Sequence, residues 1–429
     1  MKYKALPASL YIENRKRLVA QLPTKSLAIF NSNDEMPRVG DQTHDYRQNS
    51  DLLYLSGIDQ ESSILILAPN HPLVAYREML FLKKTSALIA IWEGHKYTIE
   101  EAQAQSGIQT IMWAEDFKNI LPVLMHHSNE IFLNSNENDR YVHSVPYADL
   151  RFIHQLQQTY PLHRYHRLAP IMAALRSIKQ EAEINAMQIA CDITEKAFRR
   201  VLGFVKPGVA EYEIEAEIIH EFIRNRATGH AYHPIIASGA NACVLHYNTN
   251  NMVCNDGDVI LMDFGAEYAN YAADLTRCIP VNGKFTARQK DVYNAVLRVM
   301  KAAAKMLLPG NTIEAYHQQV GLLMEAELIG LGLLKAEEVA QQNPAQPLYK
   351  KYFMHGTSHF LGLDIHDIGN KYLPMQAGMV FTVEPGIYIP EENLGIRIEN
   401  DYLITTNGQI DLMQNIPIEA DDIEMLMQG

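Results

Sequence analysis

GDVILMDFG at 257–265 and GMVFTVEPG at 378–386 are two versions of one phrase. Each opens on a turn glycine, runs through an apolar strand, sets a carboxylate at the strand's end (Asp263, Glu384) and closes on glycine. A second acid follows each phrase, Asp274 after the first and Glu399 after the second. The flanks repeat too. VKPGVAEYEIEAEI around Pro207 and Gly208, and LLPGNTIEAYHQQV around Pro309 and Gly310, each put a Pro-Gly turn between two helical patterns. This predicts an α/β (α+β) domain with an internal pseudo-two-fold duplication, each half delivering two acids to a shared centre.

A lone Asp in VILMDFGAEYANYAADLTR would read as a turn cap; the repetition argues for more. Asp263, Asp274, Glu384, Glu399 and one imidazole, His359, all lie in short apolar runs that read as buried strands or their ends. Burying that much negative charge uncompensated costs several kcal/mol per group. Divalent cations offset it directly, and an oxygen-rich set with one His suits Mn²⁺, Co²⁺ or Zn²⁺. The expected site is therefore a pair of metal ions, and the expected chemistry is hydrolysis.

Around these ligands, MHGTSHFLGLDIHD (354–367) gathers His355, His359 and His366. Imidazoles next to a metal ligand can hydrogen-bond a developing oxyanion. His246, in SGANACVLHYNTNN (238–251), is a further candidate, although a single histidine is more often a core or surface residue. Glu384, with Pro385 and Gly386 forcing an abrupt strand exit, is suited both to ligate and to take a proton from bound water. Arg397 lies two residues from Glu399, so on a strand the two share a face, which predicts a buried ion pair orienting that carboxylate. Other signatures fail. His220-Glu221 begins a zincin helix but meets Arg224 where the second His belongs, and neither a GxSxG elbow nor a P-loop is present.

At 429 residues the chain predicts two domains. Residues 1–172 alternate strand-like runs (SLAIFN, SSILILAP, EMLFLKK, NEIFLNS) with helical patterns (ASLYIENRKRLVAQL, TIEEAQAQSG), as expected of a three-layer α/β domain. PLHRYHRLAPI reads as a connection, and a long helix is expected to start at Ser177 within a second domain at 173–429. The net charge of −13 argues against nucleic acid as a partner. Cys191, Cys243, Cys254 and Cys278 lie far apart and read as reduced thiols. With no uninterrupted apolar segment at the N-terminus and no long uncharged apolar run, no membrane contact is expected, and the cytoplasm is the expected compartment.

Five ordered motifs, SGANACVLHYNTNN, MDFGAEYANYAADLTR, MHGTSHFLGLDIHD, TVEPGIY and RIEND, together with YRQNSDLLYLSG in the N-terminal part, resemble aminopeptidase P, the Xaa-Pro aminopeptidases among the pita-bread metallopeptidases. The resemblance covers nearly the whole chain. It implies that Asp263 chelates one ion, that His359 and Glu384 chelate the other, and that Asp274 and Glu399 bridge both, manganese being the usual metal. It also implies that His246 and His366 contact substrate and stabilise the oxyanion, with His355 nearby and Tyr388 lining the site. The implied substrate is a peptide with proline second, and the implied assembly is a homodimer or homotetramer, with Trp92 a candidate for a contact between subunits or for the core. Prolidase, which cuts Xaa-Pro dipeptides with the same centre, is the nearest alternative, and a non-catalytic pita-bread binding protein the remoter one. This chain departs from some members in being shorter between His366 and Glu399, with Lys371 as the cation ahead of the glutamate strand.

Overall fold

The computed structural model describes residues 3–138, 140 and 144–428, so the chain's first two residues and its last lie outside the described part. Two compact units divide between Arg176 and Ser177.

The first unit is built on a six-stranded sheet in the order Thr110–Trp113, Glu78–Leu82, Ile64–Leu67, Ser26–Asn31, Glu130–Leu133, Arg164–Arg167. The central strand SLAIFN is buried at every position, as a strand covered on both faces should be. On one face Leu27, Ile29, Ile66, Met79, Phe81, Ile131 and Leu133 pack with Leu124, Met125 and Leu156 from two helices. The alternate residues Ala28, Phe30, Leu65 and Leu80 are equally buried on the other face, which gives the expected three layers. Two expectations are corrected here. RYHR within PLHRYHRLAPI is an edge strand pairing parallel with Glu130–Leu133, not a connection. Trp92 is 83% exposed, on the helix Ala87–Glu93, so its reading as a core residue falls.

In the second unit the long helix starts at Glu181, not Ser177, which ends the preceding helix Ala169–Ser177. Its start is set by a capping box in which Glu183 accepts from the Gln180 N–H. Its buried stripe (Ala186, Met187, Ala190, Ile193, Ala197, Val201) follows the helical repeat. Among the described residues no helix is long and apolar enough to cross a membrane.

The duplication is explicit in the strand pairing. In the first half, Val259–Phe264 leads through the short strands Ala266–Tyr268 and Tyr271–Ala272 to Leu275–Pro280, which returns antiparallel on Val259–Phe264. In the second half, Val380–Val383 leads through the hairpin Gly386–Ile389/Leu394–Arg397 to Asn400–Thr405, which again returns on the first strand. Asp263 and Glu384 thus sit where the outgoing strands end, and Asp274 and Glu399 immediately ahead of the returning ones. Gly257 and Gly378 open the two outgoing strands with φ of +86° and +91°, a region that favours glycine.

Gly265 marks the tightest approach in this motif: a Cβ there would lie 1.7 Å from the Ala273 carbonyl oxygen. Gly265→Ala must therefore push back the backbone next to Asp274. We expect it to lower unfolding free energy by about 1–3 kcal/mol, the usual range for overpacking. Denaturant titration reads this directly, and wild-type stability would show that the strand exit relaxes freely.

Candidate metal centre

Asp274, His359 and Glu399 each present a ligand atom within 4.8 Å of the others'. Asp274 and Glu399 are 4% and 2% exposed. His359 Nε2 lies 3.3 Å from Asp274 Oδ2 and 3.7 Å from Glu384 Oε1, so the second half's strand-end glutamate faces the same point. The His359 ring is set for ligation by its other nitrogen: Nδ1 lies 3.0 Å from the Phe360 carbonyl, which turns Nε2 inward. Backbone bonds from Thr382 N to His359 O (3.1 Å) and Glu384 N to Thr357 O (2.8 Å) lock both residues to one strand. Thr357 N in turn donates to His317 Nε2 at 3.3 Å.

Asp263 joins the cluster through shared partners. The Tyr232 hydroxyl lies 2.5 Å from Asp263 Oδ1 and 2.6 Å from Asp274 Oδ1, bridging the two acids of the first half. Burial, and then these acids, push the Tyr232 phenol well above its ordinary pKa, so it stays protonated. Sequence reading missed Tyr232. It lies three residues before a strand that pairs Ile235 with Asp263, and only that pairing brings it here.

Arg397 differs from expectation. Its Nη2 donates to Asp263 Oδ2 at 2.5 Å, not to Glu399. It reaches Glu399 through Thr276: Nε donates to Thr276 Oγ1 (3.1 Å), whose hydroxyl donates to Glu399 Oε2 (2.7 Å). The strand Leu394–Arg397 ends at Arg397 and the next begins at Asn400, so Glu399 lies between strands and the alternation that would put the two side chains on one strand face does not reach it. Nη1 donates to the buried Tyr388 hydroxyl at 2.9 Å, which is 2.8 Å from His355 Nε2. With His355 Nδ1 2.7 Å from the Gly356 carbonyl, both nitrogens of that ring are engaged. Burial, and then Arg397, hold His355 down at about 4, so it is neutral at pH 7.

His366 packs edge-on against His359, ring centroids 4.5 Å apart. His246 is exposed on the loop after the turn Gly239–Cys243. That loop is organised by buried Glu211, whose carboxylate accepts from Ser238 N and Oγ, Asn241 Nδ2, Tyr247 OH and Met252 N.

The residues fit a divalent cation. Glu399 Oε1 is buried and has no hydrogen-bond partner among the described residues, as an oxygen reserved for a metal would be. Burial first, and neighbouring acids next, raise the carboxyls of Asp274 and Glu399 well above their usual range. Burial pushes Glu384 up to about 7, against the pull of His359 and Arg397.

An acid whose pKa is higher folded than unfolded binds more protons when folded, so its contribution falls as pH rises. For Glu384 the window runs from its ordinary 4.5 to about 7. Metal-stripped protein should lose melting temperature across this window, and Glu384→Gln should remove that part of the slope. Added Mn²⁺ should raise the melting temperature more at pH 8 than at pH 5, since ligation displaces protons. A pH-independent increment would count against these acids as the ligands.

Comparison with known proteins identifies the chain's relatives. The model of metallopeptidase family M24 matches residues 185–406, and that of the aminopeptidase P N-terminal domain matches residues 11–132. The Xaa-Pro aminopeptidase of Haemophilus influenzae is 34% identical over 434 residues, covering 98% of each chain. That of Escherichia coli is 33% identical, covering 96% of each. Among solved structures, a putative aminopeptidase P from Bacillus anthracis superposes with a TM-score of 0.91 at 31% identity over 99% of both chains. Zinc-substituted aminopeptidase P from E. coli in complex with product does so at 0.88 and 30%, again over 99% of both. The chain therefore belongs to metallopeptidase family M24, with a pita-bread metallopeptidase domain behind an aminopeptidase P-type N-terminal domain.

Proposed function

We propose that this chain is an Xaa-Pro aminopeptidase, removing the N-terminal residue of peptides whose second residue is proline. The observation that carries the reading is the convergence of Asp274, His359 and Glu399 within 4.8 Å, on a duplicated frame that brings Asp263 and Glu384 alongside. These five residues would hold two divalent ions, manganese first among the candidates, which when bound supply a Lewis acid and an activated water at neutral pH.

The protein's own groups then have separable tasks. A Glu384 oxygen takes the proton of the attacking water and returns it to the proline nitrogen as the amide breaks. His366, against the His359 ring, and His246, on its exposed loop, donate to the developing oxyanion. Arg397, Tyr388 and His355 form one hydrogen-bonded line that orients Asp263 and walls the site. Proline suits such a centre because the tertiary amide offers no N–H for an ordinary peptidase to grip. A homo-oligomer working in the cytoplasm is the setting that fits this reading.

A product assay on manganese-reconstituted protein separates the alternatives. An X-Pro-Y tripeptide should release free X faster than the matching X-Pro dipeptide; preference for the dipeptide would make the protein a prolidase. Cleavage of neither, despite bound metal, would return the non-catalytic reading. Glu384→Gln should nearly abolish turnover without unfolding the chain. His366→Ala should cost about 2–4 kcal/mol of transition-state stabilisation, by analogy with other oxyanion donors.

A further inference from the structure

Resting on the reading of His366 as a substrate contact, we propose that the buried Lys179–Asp367 ion pair is a positioning pair that holds His366 in register with the metal centre. Lys179 Nζ lies 2.8 Å from Asp367 Oδ2, and both side chains are 1% exposed. A fully buried pair of this kind adds little net stability over apolar residues of the same volume, and what this one imposes is geometry.

Both ends of the pair are tied to the site. Asp367 directly follows His366, in the segment Leu361–Gly369, which carries neither helix nor strand. Its N–H donates to the Phe360 carbonyl at 2.9 Å, closing a loop that runs from the residue after His359 to the residue after His366. Lys179 is anchored through its backbone, its N–H donating to Gly378 O at 2.8 Å. Gly378 is the turn that opens Val380–Val383, the strand leading to Glu384. The ion pair thus couples the histidine loop to the glutamate strand by a path independent of the His359 ring.

Gly362 shows how closely the loop is fitted to the pair. A Cβ there would stand 2.1 Å from Asp367 Oδ2 and 2.8 Å from Lys179 Nζ. Its carbonyl accepts from Ala272 N at 2.9 Å, two residues ahead of Asp274. The loop is therefore pinned against both halves of the duplication, and the ion pair is a charged contact at its C-terminal end. Removing the pair takes away one of the contacts that fix Asp367 beside His366, and a displacement of His366 by about 1 Å costs on the order of 100-fold in a positioned reaction.

The test is a set of double-mutant cycles on full-length, manganese-reconstituted protein with an X-Pro-Y tripeptide. Asp367→Asn and Lys179→Met are each made in wild-type and His366→Ala backgrounds, with kcat, KM, melting temperature and metal content measured for all. In the wild-type background each should lower kcat about tenfold or more with KM and metal content little changed, as for a contact made in the transition state. In the His366→Ala background neither should lower kcat further. Lys179→Arg should recover part of the loss. If Lys179→Met does not fold, Asp367→Asn, which keeps size and one acceptor oxygen, carries the comparison with Lys179→Arg. A loss of equal factor in both backgrounds, or no loss in either, overturns the proposal. Wild-type turnover in His366→Ala alone would instead remove the role of His366, and the proposal with it.

Discussion

Four carboxylates held around one buried point are the constraint on which the catalytic unit depends. Two like charges about 4 Å apart repel by about 4 kcal/mol at the effective dielectric of a protein surface site, and burial withdraws the water that would screen them. The chain answers only in part. Arg397 neutralises Asp263, the Tyr232 phenol is shared between Asp263 and Asp274, and the Thr276 hydroxyl donates to one oxygen of Glu399. The other Glu399 oxygen is left without a hydrogen-bond partner among the described residues. Incomplete compensation is what a ligand set requires, because a carboxylate with every lone pair engaged has nothing to offer a cation. Glu211 is the contrast: equally buried, it accepts from five donors and organises a loop instead.

The duplicated strand order explains how the acids reach one place, and its asymmetry leaves them with different partners. Both halves use the same route of outgoing strand, reversal and returning strand. The first half leaves Asp263 bonded to Tyr232 and Arg397, a restrained and oriented carboxylate. The second half leaves Glu384 beside His359, one-fifth exposed, on a strand locked to the histidine segment. A restrained acid is suited to hold charge in place, and a less encumbered one to exchange a proton.

Much of this was legible in the amino-acid order because the duplication is written as apolar strand, acid and glycine, a local pattern. The buried strands SLAIFN and EMLFL and the helices with apolar stripes were legible for the same reason: periodicity records burial. RYHR was not, because an edge strand exposes its side chains and so carries no apolar signature. The start of the long helix was misplaced by four residues because helical spacing continues through Ser177, whereas the capping box that sets the boundary depends on the Gln180–Glu183 contact. Tyr232 and the true partner of Arg397 lie further out of reach. Both are defined by residues that adjoin only after strands pair.

The histidines show how valence sorts roles that sequence proximity leaves mixed. Each ring has two nitrogens, and a metal ligand must fix one and present the other. His359 does this, with Nδ1 at the Phe360 carbonyl and Nε2 toward Asp274 and Glu384. His355, four residues earlier, engages both nitrogens, with Gly356 and Tyr388, and could meet a substrate only by surrendering a bond. Its contribution is therefore to hold the Tyr388 hydroxyl, and through it Arg397 and Asp263, in one orientation. Equivalent wording in the sequence thus resolves into a ring with one nitrogen turned toward the acids and a ring with both nitrogens engaged, and what separates them is the hydrogen bond each ring has already made.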